Sequence, residues 1–190
     1  MVSMAGVCDA CTVLQGARAL RSGKGFAPRF AAPCTILQPP VIGYNCACTS
    51  LIVRHPRIAA VKDCSGDSET TMALIEDGHA QVLAGEDLQI FNNLCLGGAG
   101  AISASAHVRA DLYVRMLQQV DRGNWAAARG TFYQLLPWIK VAFAEPNPAV
   151  GKAALQMQGL TTDELREPMQ SCSQAIRDKL AGVLGLSAAL

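Results

Sequence analysis

Up to about residue 122, short apolar runs alternate with stretches of helical periodicity, and this restricts the fold more than any other feature of the chain. The runs expected as strands are Ala10–Leu14, Val41–Tyr44 behind Pro39-Pro40, Ile58–Lys62 behind His55-Pro56, Gln81–Ala84 and a strand start at Ala101–Ser103. Between them the periodicity predicts helices over 25–36, over 67–77 with Ser65, Asp67 or Ser68 as cap, and over 88–96, ended by Gly97-Gly98. Pro28 and Pro33 oppose the first of these, whose inward face would hold Phe26, Phe30 and Ala31. Strands separated by a helix-length crossover pair in parallel, so the pattern predicts an α/β fold with a parallel sheet or barrel. After Ser105 the pattern is purely helical: 110–122 stopped by Gly123-Asn124, 125–143 with Pro137 expected to kink or restart it, 148–159 and 169–184. The expected organisation is therefore a strand–helix part over 1–122 and an appended helical segment over 123–190.

Composition narrows the function classes. Apolar residues make up 51% of the 190, enough to bury a core, and the formal net charge of +1 is too small to imply a nucleic-acid or membrane-surface partner. No apolar stretch approaches the roughly 20 residues of a spanning helix. The charge is uneven. Residues 1–60 carry six bases and one acid, a net of +5, leaving ten bases and fourteen acids, a net of −4, for 61–190. Such an acid-poor start reads either as a transit segment or as mature chain. Five of the eight cysteines precede residue 49: Cys8, Cys11, Cys34, Cys46 and Cys48. Cys8-Asp9-Ala10-Cys11 has metal or redox spacing, but no second CxxC or paired histidines follow, so no metal and no cofactor is expected. Reduced thiols and the lack of a signal peptide lead to the expectation of a cytoplasmic protein.

The chemistry concentrates in Ile58–Asp67. Alternation puts Ile58, Ala60 and Lys62 on one strand face, with Lys62 at the carboxyl end. In a barrel that face looks toward a dry axis and chemistry sits at the carboxyl ends of the strands. A lysine there loses hydration, and its free amine becomes available for imine formation. The alternative is a strand-end lysine that snorkels to solvent. His55, His79 and His107 are not at metal spacing. Glu86 and Asp87 read as caps of the helix that follows, and Gly97-Gly98-Ala99-Gly100 as a tightly packed turn without phosphate-loop spacing. Trp125, Phe132, Tyr133 and Trp138 read as core or subunit-contact residues.

Val61-Lys62-Asp63-Cys64-Ser65-Gly66-Asp67 resembles the Schiff-base lysine motif of the dihydrodipicolinate synthase / N-acetylneuraminate lyase family of class I pyruvate aldolases. Pro40-Val41-Ile42-Gly43-Tyr44-Asn45 resembles the strand bearing the family's catalytic tyrosine. Leu83-Ala84-Gly85-Glu86-Asp87 resembles its Ser-Gly-Asp-Asp loop, and Leu96–Ser103 its last barrel strand with the pyruvate contact. Phe143–Pro148 and Leu165–Met169 resemble the C-terminal helical segment and tilt the likeness toward the dihydrodipicolinate synthase branch. Gly6–Ala10 and Gly25–Phe30 resemble the start of the fourth strand and of the fourth helix, which favours barrel over transit segment at the N-terminus. The resemblance implies a partial (β/α)8 TIM barrel, about strands four to eight, and a lyase of lysine and diaminopimelate biosynthesis. In it Lys62 would form the imine with pyruvate, Tyr44 would shuttle protons, and Gly85 and Ile102 would line the substrate pocket. The partners it implies are pyruvate and an aldehyde co-substrate, aspartate semialdehyde in the synthase branch, and a homo-oligomer.

The chain also departs from the family pattern. A complete barrel needs about 250 residues, and strands one to three, with a Thr-Thr pair that binds the pyruvate carboxylate, have no counterpart here. Gly16-Ala17-Arg18 stands where the family has Pro-Tyr-Tyr, and the chain between Asn45 and Arg54 is too short for the family's arginine loop, of which Thr49 is the expected remnant. A truncated barrel would expose a strand edge and admit water to Lys62. Three readings follow: a synthase-like lyase, inactive if truncated; a non-catalytic remnant or partner of full-length relatives; or an aldolase of another 2-oxo acid, such as a sugar acid.

Overall fold

The computed structural model describes residues 12–15, 41–44, 53–56 and 58–185. Five strands, β1 (Thr12–Gln15), β2 (Val41–Tyr44), β3 (Ile58–Asp63), β4 (Gln81–Ala84) and β5 (Gly100–Ala101), form one sheet in sequential order. Every pairing is parallel. Sequential order with parallel pairing is what single crossovers of the same hand produce. Among the described residues the sheet does not close: β1 and β5 each pair on one side only. The helix expected over 25–36 and the five early cysteines lie outside the described residues.

Helix α1 (Ser68–Asp77) crosses from β3 to β4, and a 3-10 turn (Asp87–Gln89) leading into α2 (Ile90–Cys95) crosses from β4 to β5. On the helix side of the sheet Val53, Val61, Leu74 and Val82 form one buried cluster. On the opposite side Ala60 and Leu83 are buried, with Ile102 packed against them. Asn93, 2% exposed, joins the two last strands: its Nδ2 donates to the carbonyls of Val82 (3.3 Å) and Gly100 (3.1 Å). A Cβ on Gly98 would lie 2.2 Å from that nitrogen, so glycine is what lets the turn close over the amide.

The chain divides into two compact units, Ser3–Ile102 and Ser103–Leu190. The second is helical: α3 (Ala110–Asp121), α4 (Trp125–Ala142), α5 (Ala149–Met157) and α6 (Gln174–Leu184). Its core holds Met116, Leu135, Ile139, Val150 and Leu180, all at 0–1% exposure. Ser105 is the polar hub. Its hydroxyl pairs with that of Tyr113, and its carbonyl accepts from Trp138 Nε1 at 2.8 Å.

Three expectations change. Helix α4 runs unbroken through Pro137, because Leu135, Trp138 and Ile139 are buried on both sides of it and hold the helix across the missing N–H. Helix α6 starts at Gln174, five residues later than the periodicity predicts, since the Ser173 hydroxyl caps it by accepting from Ile176 N (3.4 Å). Glu86 stands at the N-cap of the 3-10 turn without capping through its side chain, and Asp87 is buried as the turn's first residue.

Candidate functional site

The sheet brings the anticipated residues to one end. Lys62 is the penultimate residue of β3; its register partners are Tyr44, the last residue of β2, and Leu83 on β4. Adjacent parallel strands lie about 4.8 Å apart, so Tyr44 and Lys62 are nearest neighbours across the sheet. Lys62 is partly buried and shares its strand face with Ala60, opposite the face that Val61 presents to α1. Ile102 follows β5; its N–H donates to the Ala84 carbonyl (2.9 Å), which brings it to the Leu83 side of the sheet end.

Gly85 makes the tightest approach. Its N–H donates to the Asp63 carbonyl at 2.7 Å. A Cβ on it would lie 2.9 Å from Lys62 Cε, 2.8 Å from the Asp63 carbonyl oxygen and 2.1 Å from Cys64 Sγ. The bare α-carbon is thus the wall along which the lysine stem runs toward the strand ends.

The loop from Lys62 to α1 is tied by carboxylates. Asp63, 7% exposed, accepts from Ser65 N (2.9 Å) on Oδ1 and from the Thr71 hydroxyl on Oδ2. Asp67 caps α1, accepting from Glu69 N at 3.1 Å and from the Thr70 hydroxyl at 2.5 Å. The Thr70 hydroxyl, then the Glu69 N–H, hold its carboxyl below the ordinary value of 3.8. On the helix side of the strand ends a shallow, solvent-open cleft lies between the two crossovers, lined by Asp63, Thr71, Glu86, Gln89, Asn92 and Asn93 among others. Lys62 shares the opposite strand face with Ala60 and does not line this cleft.

Lys62, Gly85 and Ile102 therefore gather at the carboxyl end of the sheet, with Tyr44 beside them by strand register. Asp63 and Thr71 were not singled out by the sequence. Alternation assigns Asp63 to the helix side, and only the fold shows that Thr71 meets it there. Among the described residues no three His, Cys, Asp or Glu side chains gather as a metal site, and no helix is long and apolar enough to cross a membrane.

Together these features define a class: a parallel α/β protein with a lysine at the carboxyl end of a sheet strand, bounded by a glycine. Residues 46–186 match the model of the dihydrodipicolinate synthetase family, and the chain belongs to that family. The 4-hydroxy-tetrahydrodipicolinate synthase of Thermodesulfovibrio yellowstonii is 36% identical over 135 residues, 70% of this chain and 46% of that protein. The synthase of Limosilactobacillus fermentum is 31% identical over 175 residues, 86% of this chain and 56% of that protein. The chain thus spans about half the length of the curated relatives it matches. Among solved structures, a dihydrodipicolinate synthase of Bacillus anthracis superposes with a TM-score of 0.84 at 25% identity, covering 92% of this chain and 64% of that one. The Acinetobacter baumannii enzyme, solved with pyruvate, shares the fold at a TM-score of 0.81 and 22% identity, covering 93% of this chain and 66% of that one.

Proposed function

We propose that this chain carries the Schiff-base half of a pyruvate-dependent lyase of the 4-hydroxy-tetrahydrodipicolinate synthase type, with β1 to β5 as strands four to eight of an eight-stranded barrel. The observation that supports it best is Lys62 at the carboxyl end of β3, on the face away from the helices, with its stem against the bare Gly85. The Lys62 amine adds to the keto carbon of pyruvate, water leaves, and an imine forms. Loss of a methyl proton gives the enamine, whose carbon attacks the aldehyde of the co-substrate, aspartate semialdehyde in this reading. Tyr44 moves the protons, and Gly85 and Ile102 border the pyruvate. The protein works as a homo-oligomer. A second reading, a non-catalytic partner of longer relatives, draws on the sheet that stays open among the described residues.

Borohydride reduction with pyruvate, followed by peptide mass mapping, tests the first reading. The expected adduct sits on Lys62 and not on Lys24, Lys140, Lys152 or Lys179, and Lys62→Arg abolishes it, because a guanidinium keeps its proton. Tyr44→Phe preserves trapping while turnover falls about 10²–10⁴-fold, the usual worth of a general acid–base group. Equal labelling of all five lysines, or none, sinks the reading. Growth of a lysine auxotroph on the chain alone argues against the non-catalytic one.

A further inference from the structure

Asp63 follows Lys62 directly, and its carboxylate is buried on the other side of the strand, between the sheet end and α1. Both its oxygens are engaged by different parts of the crossover: Ser65 N on Oδ1, in the loop, and the Thr71 hydroxyl on Oδ2, in the helix. Its carbonyl takes the N–H of Gly85, the residue against which the Lys62 stem lies. One residue thus fixes the end of β3 to the loop, to the first turn of α1 and to the end of β4. A buried carboxylate needs such partners, since leaving it unsatisfied would cost far more than the bonds contribute when made. An apolar residue would fill the space under α1 without fixing the strand end at a set distance from the helix.

We infer that Asp63, held by Thr71, is a positioning residue: it sets where the Lys62 amine stands at the strand end, and so the rate at which that amine attacks a carbonyl. Its side chain lies on the helix side and does not reach the substrate face, so it acts through Lys62. The inference rests on the Schiff-base reading of Lys62 for its catalytic meaning, but not for its geometry. Misplacement of a reacting group by about 1 Å can cost roughly 10²-fold in rate.

The test uses the full chain and the variants Asp63→Asn, Thr71→Val and Thr71→Ser, each checked for folding by circular dichroism. One arm measures the rate of borohydride trapping on Lys62 against pyruvate concentration. The other measures reductive methylation of Lys62 by formaldehyde and cyanoborohydride, without pyruvate and across pH, with Lys140 and Lys152 as internal references. Expected in Asp63→Asn and Thr71→Val is a roughly 10- to 100-fold fall in the limiting trapping rate with little change in the half-saturating pyruvate concentration. The pH profile of Lys62 methylation should change while those of the references stay fixed, and Thr71→Ser should behave as the parent. Unchanged limiting rates and profiles in folded Asp63→Asn overturn the inference. If that variant does not fold, the contrast between Thr71→Val and Thr71→Ser decides in its place. If the parent protein gives no pyruvate adduct, the Schiff-base reading fails, and the methylation arm still decides whether Asp63 places the amine.

Discussion

Gly85 shows how a residue with no side chain can restrict a site. The contacts its Cβ would make are of two kinds. Lys62 Cε and Cys64 Sγ belong to side chains that can turn away, but the Asp63 oxygen, at 2.8 Å, is backbone and cannot. The collision therefore has to be relieved by moving the strand end, which carries Lys62 with it, as well as by turning the side chains away. Overpacking of this kind costs about 1–3 kcal/mol, so Gly85→Ala should lower stability by that order in a urea titration. Its effect on chemistry should be larger than its effect on folding, because both the strand end that carries Lys62 and the lysine stem are displaced. In the variant that remains folded, pyruvate trapping on Lys62 should fall at least about tenfold, as expected for a reacting group held out of place. Trapping at the parental rate would mean that Lys62 has room to spare and that Gly85 is not its wall.

At the scale of elements, α1 is the helix whose placement matters most to the site, because its first turns hold Asp63 and its cap is Asp67. The Asp67 carboxyl is held below 3.8 by the Thr70 hydroxyl and the Glu69 N–H. A depressed folded value gives stability that is fully present above the unfolded value and is lost as pH falls through the folded one. Amide exchange at the start of α1 should therefore be insensitive to this group at neutral pH and lose protection only in acid below 3.8; Asp67→Ala should abolish that acid step. At the start of α4, Asn124 Oδ1 accepts from Ala127 N at 3.2 Å; Asn124→Ala should cost about 1 kcal/mol, as N-caps do, read as a shift in the thermal midpoint. The elements legible in the sequence were those bounded by strong local signals. Val41–Tyr44 follows two prolines, Gln81–Ala84 lies between a helix end and a glycine, and α1 has a capping aspartate with the left-handed Gly78 after it. What could not be read depended on contacts distant in sequence. The Pro137 break fails because buried neighbours hold α4 together, and the late start of α6 follows Ser173, whose own N–H donates to Glu145 Oε2 at 3.1 Å, 28 residues away. The lysine, the glycine and the isoleucine of the candidate site were visible as motif residues. Asp63 and Thr71 were not, since no periodicity announces that a strand end and the first turn of a helix will share a hydrogen bond.

For the whole molecule, the homo-oligomer that the family resemblance implies needs exposed apolar surface on which copies can pack. Ala60 and Leu83, on the sheet face away from the helices, are buried at 0% and 1% exposure. The exposed apolar surface lies in part on the helical unit: Trp125 at 44%, Tyr133 at 60%, Phe143 at 47% and Leu160 at 69%. Trp125 and Tyr133 are eight residues apart on α4, about 12 Å along its axis and about 80° around it, within one broad stripe, given 3.6 residues per turn and a rise of 1.5 Å per residue. Exposed aromatics grouped in this way are the kind of anchor around which interfaces form. A second copy packing along this stripe would need to bury about 800 Å² per partner to be stable. Sedimentation velocity from low to high micromolar concentration should therefore show a reversible shift from monomer to dimer or larger. Tyr133→Glu and Trp125→Glu should each move that shift to higher concentration by about tenfold or more, because a charge desolvated at an apolar interface without a partner is costly. Both substitutions are at exposed positions and should leave the thermal midpoint nearly unchanged, which separates loss of assembly from loss of fold. A single monomer boundary across the whole range, unaffected by either substitution, would show that α4 keeps its aromatic stripe for some purpose other than self-association.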